Sequence, residues 1–181
     1  MKKFVKTSFV LSLFISILAV FFVVSAGKVH ADTSKKVDVI TEVKIQNDKG
    51  EALTGPVGRF DSFRLNAKFA LEGKNVKAGD TTTIAVPTDL IINSQDFEVL
   101  DGKGQVAASA KVDKDRKKIV LTYTDYVEHN SDITGNIFFY VRIDHKLVPN
   151  AKEIPINLIV ENKVVQTTPP QPPVKYIGIA Q

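Results

Sequence analysis

The sequence predicts an all-β sandwich for the central part of this chain of 181 residues. Apolar and polar residues alternate with a period of two in six or more short segments, and turn-forming residues separate these segments. No window of helical length carries a 3.6-residue apolar period that outweighs this alternation. Short alternating strands joined by turns are typical of two packed antiparallel sheets, and not of alternating helices and strands.

The first 31 residues have the pattern of a secretory signal peptide. Three lysines within the first six residues precede an apolar run from Phe9 to Ala26, and Val29-His30-Ala31 is a small-residue cleavage site. We therefore expect cleavage after Ala31, with Asp32 as the new N-terminus. Cleavage after Ala26, and retention of the apolar run as a membrane anchor, are the alternatives.

From Val37 onward, apolar residues occupy every second position of successive strands. The expected inward or alternating apolar positions are Val37, Val39, Thr41, Val43 and Ile45; Phe63, Leu65, Ala67, Phe69 and Leu71; Thr82, Ile84 and Val86; Phe97 and Val99; Val106, Ala108, Ala110 and Val112; Ile119, Leu121 and Tyr123; Ile137, Phe139, Val141 and Ile143; and, in one last strand, Ile154, Ile156, Leu158 and Val160. Polar turns lie at residues 47–50, 101–104 and 113–116. This order predicts one folded domain over residues 32–166.

The composition changes again at residues 167–173, which read TTPPQPP. Such a Pro-rich segment is typical of an extended, polyproline-like linker. The eight residues that follow are too few to fold alone. We therefore predict that residues 167–181 are a linker and the truncated start of a further segment.

Charge and cysteine content exclude several classes of protein. The four lysines of residues 1–31 account for the whole net charge of +4, so the rest of the chain is neutral and has no basic field for nucleic acid. The chain contains no Cys, which excludes a disulfide framework, a thiolate metal site and a Cys nucleophile.

The remaining polar clusters give weak support to catalysis. His129, Ser131 and Asp132 are neighbours in sequence, whereas a hydrolase triad needs groups that converge in space. No Gly-rich loop joins a strand to a helix, so nucleotide binding has no support. We predict that the protein is not an enzyme and needs no cofactor.

Three further groups of residues suggest, but do not establish, a cation site or a covalent isopeptide bond. Residues 113–115 resemble the start of a calcium loop, but the later spacing of an EF-hand fails. Asp125, Glu128 and Asp132 could supply oxygen ligands, although acids in a loop are usually solvated. Lys44 and Asn157 are the only placement that suits a Lys–Asn isopeptide bond, and both lie on outward faces by the alternation. We therefore predict no metal site.

The most specific motif is Thr122-Tyr123-Thr124-Asp125-Tyr126-Val127. It resembles the TYTFTDYV-type motif in the paired immunoglobulin-like ligand-binding region of Gram-positive surface adhesins of the collagen-adhesin and clumping-factor type. Residues 78–87, 131–135 and 138–141 also resemble this region in order and spacing. The resemblance covers roughly residues 36–165 and is greatest to the first of the two subdomains.

The resemblance implies an immunoglobulin-like β-sandwich that forms one half of a ligand clamp. In that family, two subdomains enclose an extended ligand, and a latch strand from the second pairs along the first by strand addition. Tyr123, Thr124, Asp125, Tyr126 and Val127 correspond to the latch-acceptor motif. We therefore expect an unfilled strand edge near these five residues. The alternative is that Tyr123 and Val127 belong to the core and that Asp125 closes a turn.

The resemblance also implies an extracellular partner. We expect a non-enzymatic, monomeric adhesin module that binds host extracellular-matrix protein of the collagen or fibrinogen type. It would be secreted, or wall-associated in a longer form, without membrane contact after cleavage. The alternative is a secreted or wall-associated interaction or spacer domain with a bacterial or carbohydrate partner. The sequence contains neither a second subdomain nor an LPxTG-type sorting motif, so we expect either a fragment of a longer adhesin or a lone module.

Overall fold

The computed structural model describes residues 33–179, and every structural statement below refers to this part of the chain. The predicted signal peptide and both of its cleavage sites lie outside the described residues. Within the described range, the residues from Ser34 onward form one compact unit. Because this unit has its own hydrophobic core, it can be produced without the leader.

The described chain folds into twelve strands and one short helix. They are β1 (Ile40–Gln46), β2 (Ser62–Ala70), β3 (Thr81–Ala85), β4 (Leu90–Ile92), β5 (Phe97–Leu100), β6 (Val106–Asp113), β7 (Lys118–Tyr123), α1 (Tyr126–His129), β8 (Thr134–Ile143), β9 (Lys152–Ile154), β10 (Leu158–Val160), β11 (Lys163–Val165) and β12 (Val174–Tyr176). Within residues 33–179, no helix has the length and apolar character needed to cross a membrane.

Two antiparallel sheets form the sandwich. The four-stranded sheet has the order β1-β2-β8-β4, and the six-stranded sheet has the order β11-β10-β3-β7-β6-β5. A separate two-stranded sheet pairs β12 with β9. The predicted all-β sandwich is therefore confirmed.

The core lies between the sheets and follows the alternation read from the sequence. In β2 and β8, every predicted inward residue is buried, and opposite partners such as Leu65 and Phe139 or Ala67 and Ile137 share the same face. The buried residues of both sheets form one continuous cluster. Burying each large apolar side chain contributes about 1.5–3 kcal/mol, so this shared cluster is the main source of stability.

Local irregularities change two of the predicted strands. Thr41 was expected to point inward, but it is exposed because the β1–β2 register shifts between Ile40 and Glu42. The segment from Ile154 to Val160 was expected to be one strand, but it divides around Pro155 into β9 and β10. These two strands belong to different sheets, and proline has no N–H with which to continue a ladder.

The Pro-rich tail packs against the sandwich, where we expected a linker. β12 pairs with β9, and the backbone N–H of Val57 donates to the carbonyl oxygen of Lys175 at 2.9 Å. Val174 is buried, and only 1% of Tyr176 is exposed. The folded unit therefore continues past residue 166, where we expected it to end, because these two side chains reach an apolar surface that a local pattern does not reveal.

Candidate functional site

The predicted site residues begin at the end of β7, which lies between β3 and β6. The N–H of Tyr123 donates to the carbonyl oxygen of Asp80 at 3.0 Å, and the N–H of Gly79 donates to the carbonyl oxygen of Tyr123 at 2.9 Å. On the other side, the N–H of Thr124 donates to the carbonyl oxygen of Ala107 at 3.0 Å. The unfilled edge that we expected here is wrong, because these backbone groups already have partners.

The side chain of Tyr123 belongs to the core. Its hydroxyl lies 2.8 Å from Thr82 Oγ1, and that Oγ1 donates to the carbonyl oxygen of Val37 at 2.5 Å. Burial raises the pKa of Tyr123 to about 12, although the hydrogen bond with Thr82 opposes this shift. Val127 is also buried. These two motif residues therefore contribute to packing.

Thr124 and Tyr126 brace the turn between β5 and β6. Thr124 Oγ1 donates to the carbonyl oxygen of Val106 at 2.8 Å, and the Tyr126 hydroxyl donates to Asp101 Oδ2 at 2.8 Å. The other oxygen of Asp101 accepts the N–H groups of Lys103 and Gln105. The Gln105 N–H and the Tyr126 hydroxyl hold the pKa of Asp101 below its usual value, while the Asp101 carboxylate raises the pKa of Tyr126. This network fixes the turn next to the motif.

The motif also borders a cleft with a volume of about 470 Å³. Asp125 is exposed before α1 and makes no side-chain cap to this helix. Val127 and Glu128 form part of one cleft wall. The remaining lining, which includes the buried residues Leu71, Val76 and Ile133 and the polar residues Glu72, Lys77 and Asp132, comes from the β2–β3 and α1–β8 connections. We call this the motif cleft. Its apolar floor and mainly acidic rim suit an extended segment with apolar and basic side chains.

A second candidate surface is the outer face of the four-stranded sheet. Phe138 is 50% exposed there, and the Arg64 guanidinium lies 4.8 Å from its ring centroid. Gln46 Oε1 accepts hydrogen bonds from Arg64 Nε at 3.1 Å and Nη2 at 2.9 Å, and from Asn66 Nδ2 at 3.1 Å. We call the surface of Gln46, Arg64, Asn66, Phe138 and Tyr140 the aromatic face.

The sequence contained a signal for the aromatic face. Phe138 and Tyr140 alternate with the inward residues of β8, so the period of two already places both aromatic rings outward. Their significance was missed because alternation does not reveal which residues of a neighbouring strand hold them. Only the β2–β8 pairing shows that Asn66 lies opposite Phe138 and Arg64 lies opposite Tyr140.

The other polar clusters occupy ordinary turn and surface positions. The Ser131 hydroxyl lies 3.2 Å from Asp132 Oδ2, and His129 is exposed. Asp113 Oδ1 accepts the N–H of Arg116 at 3.0 Å and closes a turn. Lys44 Nζ lies 2.5 Å from Glu42 Oε1 on the surface. In residues 33–179, no three His, Asp or Glu side chains converge as a metal site.

Comparisons with known proteins identify similar domains. The sequence profile of the family described as bacterial Ig domain matches residues 56–153. Serine-aspartate repeat-containing protein E of Staphylococcus aureus is 30% identical over 126 residues, covering 67% of this chain and 11% of that protein. Bone sialoprotein-binding protein of Staphylococcus aureus is 26% identical over 133 residues, covering 70% of this chain and 12% of that protein. This chain therefore spans about a tenth of the length of these relatives.

Solved structures share the fold at lower sequence identity. The serine-rich repeat protein Srr2 of Streptococcus agalactiae matches with a TM-score of 0.60 and 19% identity, over 80% of this chain and 46% of that chain. The collagen adhesin of Staphylococcus aureus matches with a TM-score of 0.56 and 16% identity, over 84% of this chain and 47% of that chain. At this level of identity, the likeness concerns the fold.

Proposed function

Because this chain belongs to the bacterial Ig domain family, we propose that it is a non-enzymatic adhesin module that acts outside a Gram-positive cell and binds a host extracellular-matrix protein. It is homologous to domains of Gram-positive adhesins. Secretion or wall attachment would bring it to such a partner. The names of two similar proteins, a bone sialoprotein-binding protein and a collagen adhesin, support a matrix ligand of this general kind.

The observation that carries the binding proposal is the aromatic face. Aromatic residues and arginine are enriched at the centres of protein interfaces, where they contribute much of the binding energy. Phe138 is exposed, yet Arg64 holds it from one side and Gln46 holds Arg64. A ring that is ordered before binding loses little conformational entropy on binding. The face is thus suited to an extended matrix chain.

The second part of the proposal is that the motif cleft is also a binding site. In a longer protein, it would receive an extended segment from a following domain and so form one half of a clamp. Binding in this cleft replaces the strand pairing along β7 that we expected, because β7 has a hydrogen-bonded neighbour on each side. Val127 would touch the incoming segment, and Asp125 lies exposed before α1. The hydrogen bonds of Tyr123, Thr124 and Tyr126 would hold the chain next to the cleft in place.

Binding of residues 32–181 to immobilised collagen, fibrinogen and bone sialoprotein tests the proposal. We expect weak binding to at least one of them, because a single domain supplies only one wall of a clamp. Phe138→Ala and Arg64→Ala should each weaken that binding about tenfold, equivalent to about 1.4 kcal/mol.

Phe60→Ala is the matched control, because Phe60 is an exposed aromatic residue that contacts His145 at the end of the sheet and not the aromatic face. It should bind like the wild type. Failure of all three matrix proteins to bind would overturn the adhesin proposal. Unchanged binding by both face variants would remove the aromatic face from it.

A carbohydrate partner is the second candidate, and one observation favours it. A depression of about 230 Å³ beside the aromatic face is lined partly by the amides of Gln46, Asn66 and Asn136. Amide groups next to an aromatic ring suit sugar hydroxyls and the apolar face of a sugar ring. Binding to a glycan array, lost in Asn136→Ala and accompanied by no binding to matrix proteins, would favour a secreted or wall-associated interaction domain with this partner.

A further inference from the structure

Three segments meet at the end of the sandwich where β8 stops. They are residues 57–61 of the β1–β2 connection, residues 144–149 after β8 and residues 177–179 of the tail. The ring centroids of Phe60 and His145 lie 5.6 Å apart, so the first two segments are in contact. The N–H of Ile177 donates to the carbonyl oxygen of Val57 at 3.1 Å, which joins the tail to the first segment.

Four large apolar side chains project from these segments. Phe60, Leu147, Ile177 and Ile179 are exposed by 68%, 61%, 51% and 40%. The N–H of Ile179 donates to the carbonyl oxygen of Pro149 at 3.3 Å, so Ile179 lies beside the loop that carries Leu147. The four side chains line neither the motif cleft nor the depression beside the aromatic face. We call these four residues the apolar end, and a cluster of this kind is typical of an interaction surface.

The apolar end has a basic rim, formed by Arg59, Arg142 and Lys146. Burial and these three nearby cations lower the pKa of His145, while Asp144 opposes the shift. None of the three cations forms an ion pair within residues 33–179. Their charges are therefore available to a partner.

The acidic residues of the three segments do not cancel this rim. Asp144 Oδ2 lies 3.2 Å from Lys117 Nζ, so its charge is neutralised by a lysine outside the rim. Asp61 Oδ2 accepts the N–H of Gly58 at 2.7 Å and is the other acid of these segments. Three unpaired cations against one unpaired carboxylate leave this end of the molecule positive.

Projecting apolar side chains with a positive rim suit an anionic lipid surface. Proteins bind such a surface by burying apolar side chains at the boundary between headgroups and acyl chains, while Lys and Arg attract the anionic headgroups. A peptide ligand is usually held in a groove or along a strand edge, whereas these side chains point outward. A second copy of this chain would bring two basic rims together, and like charges oppose such a contact.

We propose that the apolar end inserts into the headgroup region of a bilayer rich in anionic phospholipid. The four apolar side chains enter the bilayer boundary, and the basic rim contacts the lipid phosphates. We expected no membrane contact after cleavage, because residues 32–181 carry no net charge. The fold nevertheless gathers unpaired cations around one apolar surface, and a count over the whole chain does not reveal this.

This contact would orient the motif cleft away from the lipid. The cleft includes Asp132 and Ile133, which directly precede β8, whereas the apolar end lies beyond the last residue of β8. The ten residues of β8 separate the two sites by about 30 Å. The cleft would therefore remain open to an incoming segment while the opposite end contacts the bilayer.

The first test is sedimentation of residues 32–181 with vesicles of phosphatidylglycerol, which is anionic, or of phosphatidylcholine, which has no net charge. We expect binding to phosphatidylglycerol that weakens as salt is added, and much weaker binding to phosphatidylcholine. No binding to phosphatidylglycerol at low salt, or equal binding to both lipids, would overturn the proposal.

The second test uses substitutions at exposed positions, with thermal unfolding to check the fold. Phe60→Ala and Leu147→Ala should each weaken binding to phosphatidylglycerol vesicles about tenfold. Lys146→Gln should weaken it about fivefold. Phe138→Ala, on the aromatic face, and Lys103→Gln, at an exposed lysine near the start of β8, are the matched controls and should bind like the wild type. Unchanged binding by both apolar variants would overturn the proposal.

The same variants separate this inference from the proposed matrix binding. Phe60→Ala should lose lipid binding and keep matrix binding, whereas Phe138→Ala should do the reverse. Either activity can therefore be absent without affecting the conclusion about the other.

Two further measurements test other occupants of the apolar end. Binding to poly-L-glutamate that is lost in Lys146→Gln, without binding to phosphatidylglycerol vesicles, would assign this end to an acidic polypeptide and overturn the lipid proposal. A dimer detected by light scattering without lipid, and lost in Leu147→Ala, would assign it to a second copy and also overturn the proposal. We expect a monomer that binds the vesicles.

Discussion

At the scale of single residues, the motif side chains either pack in the core or stabilise a neighbouring turn. Tyr123 joins β7 to Thr82 and, through Thr82, to Val37 near the start of the folded unit. Tyr126 instead reaches the turn before β6 through Asp101. Both hydroxyl groups form hydrogen bonds within the fold, so substitution of either tyrosine should first lower the free energy of unfolding and only then alter ligand binding.

Tyr123 gives the protein a specific sensitivity to alkaline pH. Its folded-state pKa of about 12 exceeds the ordinary value of 10, so the unfolded chain loses this proton first. The contribution of Tyr123 is therefore complete below about pH 10 and decreases as the pH rises through 12, by about 3 kcal/mol in total. Urea unfolding at pH 7, 10, 11 and 12 measures it.

Tyr123→Phe is the informative variant in that experiment. We expect it to lose about 1 kcal/mol at pH 7, because the hydroxyl chain is broken, and to lose less stability than the wild type above pH 10. Parallel pH curves for the two proteins would contradict the role of a buried, protonated Tyr123.

At the scale of secondary structure elements, β8 connects the two sheets at its first residues. The N–H of Gly102 donates to the carbonyl oxygen of Thr134 at 2.9 Å, so the end of β5 and its turn lie against the start of β8. Gly135 permits this approach. A Cβ atom there would lie 2.7 Å from both the Leu100 carbonyl oxygen and Phe69 Cε1.

Gly135→Ala should therefore destabilise the fold by about 1–3 kcal/mol, because the added methyl group meets backbone and a buried ring that cannot both move. Gly55→Ala is the control, since a Cβ at Gly55 meets nothing within 4 Å. It should change the free energy of unfolding by less than about 0.5 kcal/mol. Equal effects of both substitutions in urea unfolding would show that the close approach at β8 is not tight.

At the scale of the whole molecule, the tail closes the sandwich. Residues 167–179 pair with β9, contact the loop around Val57 and cover β1. A segment that was expected to separate domains thus contributes a buried tyrosine and an edge cover to this one. The same short segment therefore contributes to the stability of the unit and covers the outer edge of β1.

Tyr176→Ala tests whether the tail belongs to the folded unit. Removing this fully buried ring should cost about 3–5 kcal/mol, as for other large aromatic side chains in a core. Lys175→Ala, at the exposed neighbouring position of β12, should change stability by less than about 0.5 kcal/mol. Equal thermal stability of the two variants would mean that the tail acts as a linker after all.

The sequence by itself determined the sandwich and most of its core. Alternation is a local property, because successive side chains of a strand point to opposite faces wherever that strand lies. For this reason Phe63, Leu65, Phe139 and Val141 could be placed inward from the printed letters alone. The motif at residues 122–127 likewise indicated the family, because it depends on residue types at fixed spacing.

Only the tertiary structure decided which strands have neighbours on both sides. Pairing order joins residues far apart in sequence, and no local period encodes it. β7 is therefore an interior strand although its motif suggested an open edge, and β1 is an outer strand whose edge Gln171 covers from 126 positions away. The division at Pro155 and the burial of Tyr176 have the same cause, since each depends on a surface that distant strands build together.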